Sequence, residues 1–394
     1  MHTFGALHPG AGGTNTDGAN PHGNLTLVNG ALYGTTYFGG FSGAGTLFRV
    51  NLDGSGFTNL HSFARGADGA DPNGGLILVS NFLYGTAAYG GDSYGYGSIY
   101  RINTNGSSFT NLYGFSGLKD GGVPEGNLLL SGATLYGTCS AGGANGSGNL
   151  FSIGLDGKNF SAFYSFDTAG NSETNLTGAF PQAALISVGG TLYGTTEYGG
   201  TNGTGSIFAV QPDGSGFTNL HSFAPGHGNG NGFFTNLDGA YPLCTLTPAN
   251  GTLYGMAQQG GSEGYGTIFS IRPDGSGFTN LYTFVPIVAP PTYFNTGGNR
   301  PDAGFLLDSN ILYATSSLGG LDGNVFSFTL PGANLPPALA FQRVGASLTL
   351  TWPSAYVLQS TPDLGIAFSN VASAVTPFIV AATNAQAYFR LNPQ

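Results

Sequence analysis

Residues 32–40 read LYGTTYFGG, and the opening LYGT returns along the chain, whole or in close variants, with its tyrosine at Tyr33, Tyr84, Tyr136, Tyr193, Tyr254 and Tyr313. Self-similarity at intervals of 51 to 61 residues marks a repeat architecture, in which each unit buries its apolar face against its neighbours. Twelve residues before every one of these tyrosines stands a proline, at Pro21, Pro72, Pro124, Pro181, Pro242 and Pro301. That offset is constant while the repeat length is not, so the length variation belongs elsewhere in the unit.

Each unit reads as four strands. In the second they are a short apolar run (76–79), the LYGT segment (82–88), a third run (97–102) and FTNLYGF (109–115). Between the third and fourth lies DGSG or an equivalent, at Asp53-Gly54, Asn105-Gly106, Asp156-Gly157, Asp213-Gly214 and Asp274-Gly275, which supplies the positive backbone angles of a tight hairpin. No segment carries helical apolar periodicity of useful length. Four antiparallel strands repeated six times predict an all-β fold, a six-bladed β-propeller.

The sixth unit has strands at 305–307, 311–316 and 324–330, then passes into PGANLPP without a fourth. The chain opens on His2-Thr3-Phe4, which aligns with the fourth strands His61-Ser62-Phe63, His221-Ser222-Phe223 and Tyr282-Thr283-Phe284. Residues 1–4 are therefore expected to complete blade six, closing the ring and removing its open edges. The propeller then spans residues 1–331, a linker 332–337, and a small C-terminal β-domain 338–394 of sandwich-like pattern, with Trp352 expected to pack on Phe389 or the propeller.

Composition excludes several classes of function. Asp, Glu, Lys and Arg make up only 7% of 394 residues, yet aromatics reach 13% at regular intervals, which argues against disorder. A net charge of -10 without a basic stripe argues against nucleic acid. No apolar run approaches the roughly 20 residues of a membrane span, and MHTFGALHPG has no basic n-region followed by an apolar stretch. Cys139 and Cys244 lie in different repeats and outside any metal-ligand spacing, so they read as small core residues. The DGSG acids lack the further ligands of a calcium loop and read as hairpin chemistry. Neither a cofactor nor a metal is expected, and the chain is expected to be a monomer.

LYGTTYFGG, GTLFRVNLDGSGFTNLHSF and DGADPNGGL together resemble the GloVer tandem repeat over residues 1 to about 330. That family occurs in exported bacterial proteins with one of several C-terminal anchors, so the resemblance implies an extracellular or cell-surface protein and no particular activity. TLTWPSAYVLQSTPDL and the later AYFRL are similar to a C-terminal module of large secreted bacterial proteins. Neither a signal peptide nor a hydrophobic sorting tail is seen, which suggests a partial reading frame.

Repeated residues read as structure. The LYGT tyrosines and the third-strand aromatics Phe48, Tyr100, Phe151, Phe208, Phe269 and Phe326 suit packing between blades. His61 and His221 invite a metal or general-base reading, but Tyr113, Tyr164 and Tyr282 take the same position, which asks only for a ring with a polar edge. Asp17, Asp68, Asp120 and Asp238, four residues before their prolines, suit turn capping.

Function is expected where position repeats and identity does not. The residue after each proline is His22, Asn73, Glu125, Gln182, Leu243 or Asp302, and these should converge on the channel mouth at one face. Long connections in the same region, 168–180, 224–241 and 285–300, add Phe233, Phe234, Tyr241, Tyr293, Phe294 and Arg300. His22, Asn73, Glu125, Gln182, Asp302, Arg300 and Tyr241 are the candidate ligand contacts. The leading reading is a binding or scaffold module for a carbohydrate or a surface protein. The alternative is a propeller glycoside hydrolase or lyase using Glu125, Glu197 and Asp302 as carboxylates at the mouth. A third is a surface repeat with no small ligand.

Overall fold

The computed structural model describes residues 2–8, 13–170, 174–228, 234–285, 299–301, 304–318, 324–331, 340–344, 347–351, 356–361, 369–370, 378–381 and 388–393. Strands are the only regular elements among the described residues, and no helix there is long and apolar enough to cross a membrane. Six blades form a ring, a six-bladed β-propeller. Blade two shows the plan: Ile77–Val79, Phe82–Ala87, Ser98–Asn103 and Thr110–Gly114 pair antiparallel in sequence order. Blades three, four and five repeat it with second strands Thr134–Cys139, Thr191–Thr196 and Thr252–Ala257. In blades one and six the second strands, Ala31–Phe38 and Ile311–Leu318, lengthen and also pair with the proline segments Ala19–Pro21 and Asn299–Pro301.

Compact clustering of the backbone divides the chain into Met1–Leu307 with Tyr313–Ser327, and Asp308–Leu312 with Phe328–Gln394. In the second unit, Ala340–Val344, Ser347–Thr351 and Phe378–Ala381 form one three-stranded sheet, and Ser369–Asn370, Tyr356–Thr361 and Tyr388–Pro393 form another. Trp352 and Asp302 lie outside the described residues, as do Phe233, Tyr293 and Phe294.

Packing between blades explains the repeat. A blade lies between two neighbours, so its central strands are buried on both faces, and adjacent residues such as Leu47 and Phe48 or Ile99 and Tyr100 are both in the core. A register shift falls between these two residues in each of the first five blades and re-aims the aromatic ring. The ring then lies across the glycine of the paired LYGT strand: a Cβ added to Gly34 would stand 2.7 Å from Phe48 Cζ, and one on Gly194 would stand 2.6 Å from Phe208 Cζ. From the preceding blade, the last aromatic of the fourth strand meets the same ring edge-on, with centroids 5.2 Å apart for Phe63–Tyr100 and Phe115–Phe151 and 5.3 Å for Phe223–Phe269.

The candidate histidines belong to this packing. His61 stacks on Phe109 of the next blade at 3.9 Å, His221 on Phe278 at 3.7 Å and Tyr113 on Phe160 at 3.8 Å. Their polar edges meet the repeated aspartates, His61 to Asp68 at 3.1 Å, His221 to Asp238 at 2.9 Å and the Tyr113 hydroxyl to Asp120 at 3.1 Å. Each aspartate also accepts a backbone N–H, from Ala64, Ala224 and Ser116 respectively. His2 and Phe4 fill the same place in front of blade one: His2 stacks on Phe57 at 3.6 Å and reaches Asp17 at 3.1 Å, while Phe4 meets Phe48 at 5.3 Å. The backbone of residues 2–7 is irregular there.

Candidate functional site

The proline segments of successive blades run against one another. A Cβ on Gly23 would stand 2.5 Å from the Gly74 carbonyl oxygen, one on Gly74 would stand 2.9 Å from that of Gly126, and one on Gly126 would stand 2.9 Å from the Ala183 carbonyl. Small residues are required wherever these backbones touch. The LYGT threonine then ties each segment to the next: Thr35 donates to Gly74 O at 3.2 Å, Thr138 to Ala183 O at 3.0 Å and Thr195 to Cys244 O at 3.2 Å. The motif that identifies the repeat therefore builds the wall of the channel.

Immediately before each proline the backbone is left-handed, at Asn20, Asp71, Val123, Phe180, Tyr241 and Arg300, with φ between 51° and 57°. A residue preceding proline ordinarily favours the extended region, and branched or bulky side chains resist positive φ. Hydrogen bonds between blades impose the conformation. The N–H groups of Asp71, Val123, Phe180 and Tyr241 donate to the carbonyls of Ala44, Tyr96, Ser147 and Thr204 at 2.8 to 2.9 Å. In return their carbonyls accept from Ala88, Ser140, Glu197 and Gln258.

The segments enclose a cavity of about 520 Å³ to which His22, Asn73, Glu125, Gln182 and Leu243 each contribute from the position after the proline. Thr245, Gly304, Thr315 and Ser316 complete the wall on the side of blades five and six. Of the sequence candidates, His22, Asn73, Glu125 and Gln182 are thus brought together. Glu197 stands behind Gln182, whose amide donates to its carboxylate. Arg300 and Tyr241 do not line the cavity; they occupy the left-handed position, where the Arg300 guanidinium donates to Gln258 Oε1 at 3.2 Å and Tyr241 lies 5.2 Å from the Tyr198 ring.

Among the described residues, Glu125 is the carboxyl that lines the cavity. Burial pushes it above the usual carboxylate range, against hydrogen bonds with Ser140 and with Asn73, whose amide lies at 3.5 Å. Asp71 is raised in the same way by burial, opposed by the Arg65 guanidinium at 3.3 Å. Burial, together with the negative charges of Asp71 and Glu125, raises the Tyr37 phenol. Tyr37, Asp71 and Glu125 come from three successive blades and make one acidic sector. Sequence reasoning missed Tyr37 and Asp71 because it followed one position per repeat; the residue before each proline and the one two after LYGT vary in the same way. Among the described residues no group of three or more His, Cys, Asp and Glu side chains could hold a metal ion.

Fold and cavity together define a repeat propeller whose constant residues build a ring and whose variable residues line its mouth. The chain belongs to the Gloeobacter/Verrucomicrobia repeat family, which it matches over residues 5–178 and 169–328. Among curated proteins none matches it in sequence. Solved structures similar to it include the nidogen/laminin complex, at 15% identity over 66% of this chain and 79% of that one, with a TM-score of 0.41. The oligogalacturonate lyase in complex with manganese is similar at 12% identity, over 78% of this chain and 76% of that one, with a TM-score of 0.43. TolB from Acinetobacter baumannii is similar at 12% identity, over 71% and 61%, with a TM-score of 0.37. At these values the likenesses carry no functional argument.

Proposed function

We propose that the chain is a binding module whose channel mouth captures a polyhydroxylated ligand of the glycan class, with the propeller as its rigid frame. The observation that supports this is the cavity of about 520 Å³, into which the first five blades each present a different side chain from the same repeat position. That volume suits one or two sugar rings. Amide, carboxyl, imidazole and hydroxyl groups alternate around it, and Leu243 offers an apolar patch for a sugar C–H face. Such a module works outside the cell, where polymeric glycans are met, and this setting is part of the proposal. A glycan array probed with the whole chain and with its Glu125→Ala and Gln182→Ala variants tests it. Retention that both variants lose supports the reading, and failure to retain any glycan overturns it.

One observation favours a catalytic second reading: a buried carboxyl held toward its protonated form is what a general acid requires. That reading predicts slow release of new chain ends from a bound glycan, abolished by Glu125→Gln. An intact glycan after prolonged incubation would dismiss it.

A further inference from the structure

The charges around the cavity carry the proposed reading one step further, to the class of sugar. Among the described residues, His22 and Glu125 are the titratable side chains in the cavity wall, and neither lysine nor arginine stands in it. Both nearby guanidinium groups are engaged elsewhere, Arg65 with Asp71 and Arg300 with Gln258. Glu125 by contrast meets neutral groups, the amide of Asn73 at 3.5 Å and the hydroxyl of Ser140. A partly buried carboxylate whose hydrogen-bond partners are neutral is costly to ionise, and a cation arriving with the ligand would relieve that cost. Outside the lining, the Tyr37 phenol feels the negative charges of both Asp71 and Glu125, and the Glu197 carboxylate accepts from the Gln182 amide in the next sector.

The ring order sharpens the picture. Asn73 comes from blade two and Leu243 from blade five, so in a ring of six blades they face each other across the channel. Glu125 from blade three likewise faces the Thr315 and Ser316 hydroxyl side of blade six. Among the described residues, one side of the cavity therefore carries the carboxylate of Glu125, and the other offers Leu243 and the hydroxyls of Thr315 and Ser316. A free amino sugar has matching chemistry, with an ammonium group at one edge of a ring that also carries hydroxyls and an apolar C–H face.

Resting on the glycan reading, we infer that the mouth is selective for sugars bearing a free primary amine, with the ammonium seated on Glu125, and that it disfavours uronic acids and sugar phosphates. A carboxylate or phosphate entering here would meet Glu125 with no lysine or arginine among the described wall residues, and like charges in a partly buried site repel strongly.

Calorimetric titration of the whole chain with four tetrasaccharides tests this: a glucosamine oligomer, its N-acetylated form, a neutral glucan and an oligogalacturonate. The expected order is the free amine tightest, by about tenfold over the N-acetylated and neutral oligomers, with the acidic one weakest. Glu125→Gln should bring amine and neutral oligomers to within about twofold while the variant keeps its circular dichroism and melts no lower than the parent. Equal binding of the amine and neutral oligomers, or tighter binding of the acidic one, overturns the amine inference and leaves the glycan reading standing. Tight binding of lysine methyl ester with no response to any oligomer overturns the sugar class in favour of an amine on a protein surface. Silence toward all five ligands overturns both readings.

Discussion

Tyr100 takes the place that phenylalanine holds at 48, 151, 208, 269 and 326, and so carries a hydroxyl into a seam built for plain rings. The side chain is fully buried, its oxygen has no hydrogen-bond partner among the described residues, and burial drives its ionisation far upward. A buried hydroxyl left unpaired forfeits its hydration without compensation. Tyr100→Phe is therefore expected to stabilise the protein by about 1 kcal/mol, read as a higher urea midpoint with an unchanged slope. Glu125 presents the opposite case, a group kept despite its burial. Its folded carboxyl is raised, so between the unfolded and folded values the native state holds more protons, and stability falls as pH rises through that window. Glu125→Gln should gain stability relative to the parent at pH 8 and none at pH 3, seen in denaturation midpoints at the two values, while losing the preference for an amine. A substitution that strengthens the fold and weakens the site separates the functional carboxyl from the structural ones.

At the scale of the strand, the LYGT glycine and the third-strand aromatic form one device, a bare backbone with a ring lying across it. Gly194→Ala would drive a methyl group to within 2.6 Å of Phe208 Cζ, in a core where Phe208 is fully buried. Overpacking of this kind costs about 1–3 kcal/mol, and thermal unfolding should show it, whereas alanine at the exposed loop position Gly170 meets nothing within 4 Å and no left-handed backbone. How much could be read from the sequence follows from the same contrast. The strands, hairpins, blade count and packing role of His61 and His221 were legible because each is a local pattern repeated in identity. The convergence of His22, Asn73, Glu125 and Gln182 was legible because their offset from proline is fixed. The left-handed turn before each proline was not, since it opposes the preference of the dipeptide and is held by hydrogen bonds to another blade, 27 residues upstream for Val123 and Tyr96 and 37 for Tyr241 and Thr204. Arg300 and Tyr241 occupy that left-handed position and stand outside the cavity lining, beside Gln258 and Tyr198. Asp71 and Tyr37 escaped notice because their roles arise only where three blades meet.

In the whole ring, the blades are joined by one contact used over and over, and its quality differs at one joint. Phe63, Phe115, Phe166, Phe223 and Phe284 close the seams into blades two through six and are all fully buried. Phe4 closes the seam into blade one through the same edge-on contact with Phe48, but it is only half-buried and stands on irregular backbone. Where fewer apolar contacts are buried, local opening costs less, so a propeller of this construction should open first between its last and first blades. Two variants measure the difference. Phe63→Ala removes a ring from a fully enclosed site and should cost about 3–5 kcal/mol. Phe4→Ala removes the same ring from a half-open one and should cost about 1–2 kcal/mol, scaled to its smaller burial. Amide exchange should agree, with the strand Thr46–Asn51 of blade one gaining deuterium sooner than Ser98–Asn103 of blade two in the parent, and the gap widening in Phe4→Ala. Equal losses in the two variants, or uniform exchange around the ring, would mean that closure is as strong as any other joint and that the N-terminal segment is a full member of the repeat.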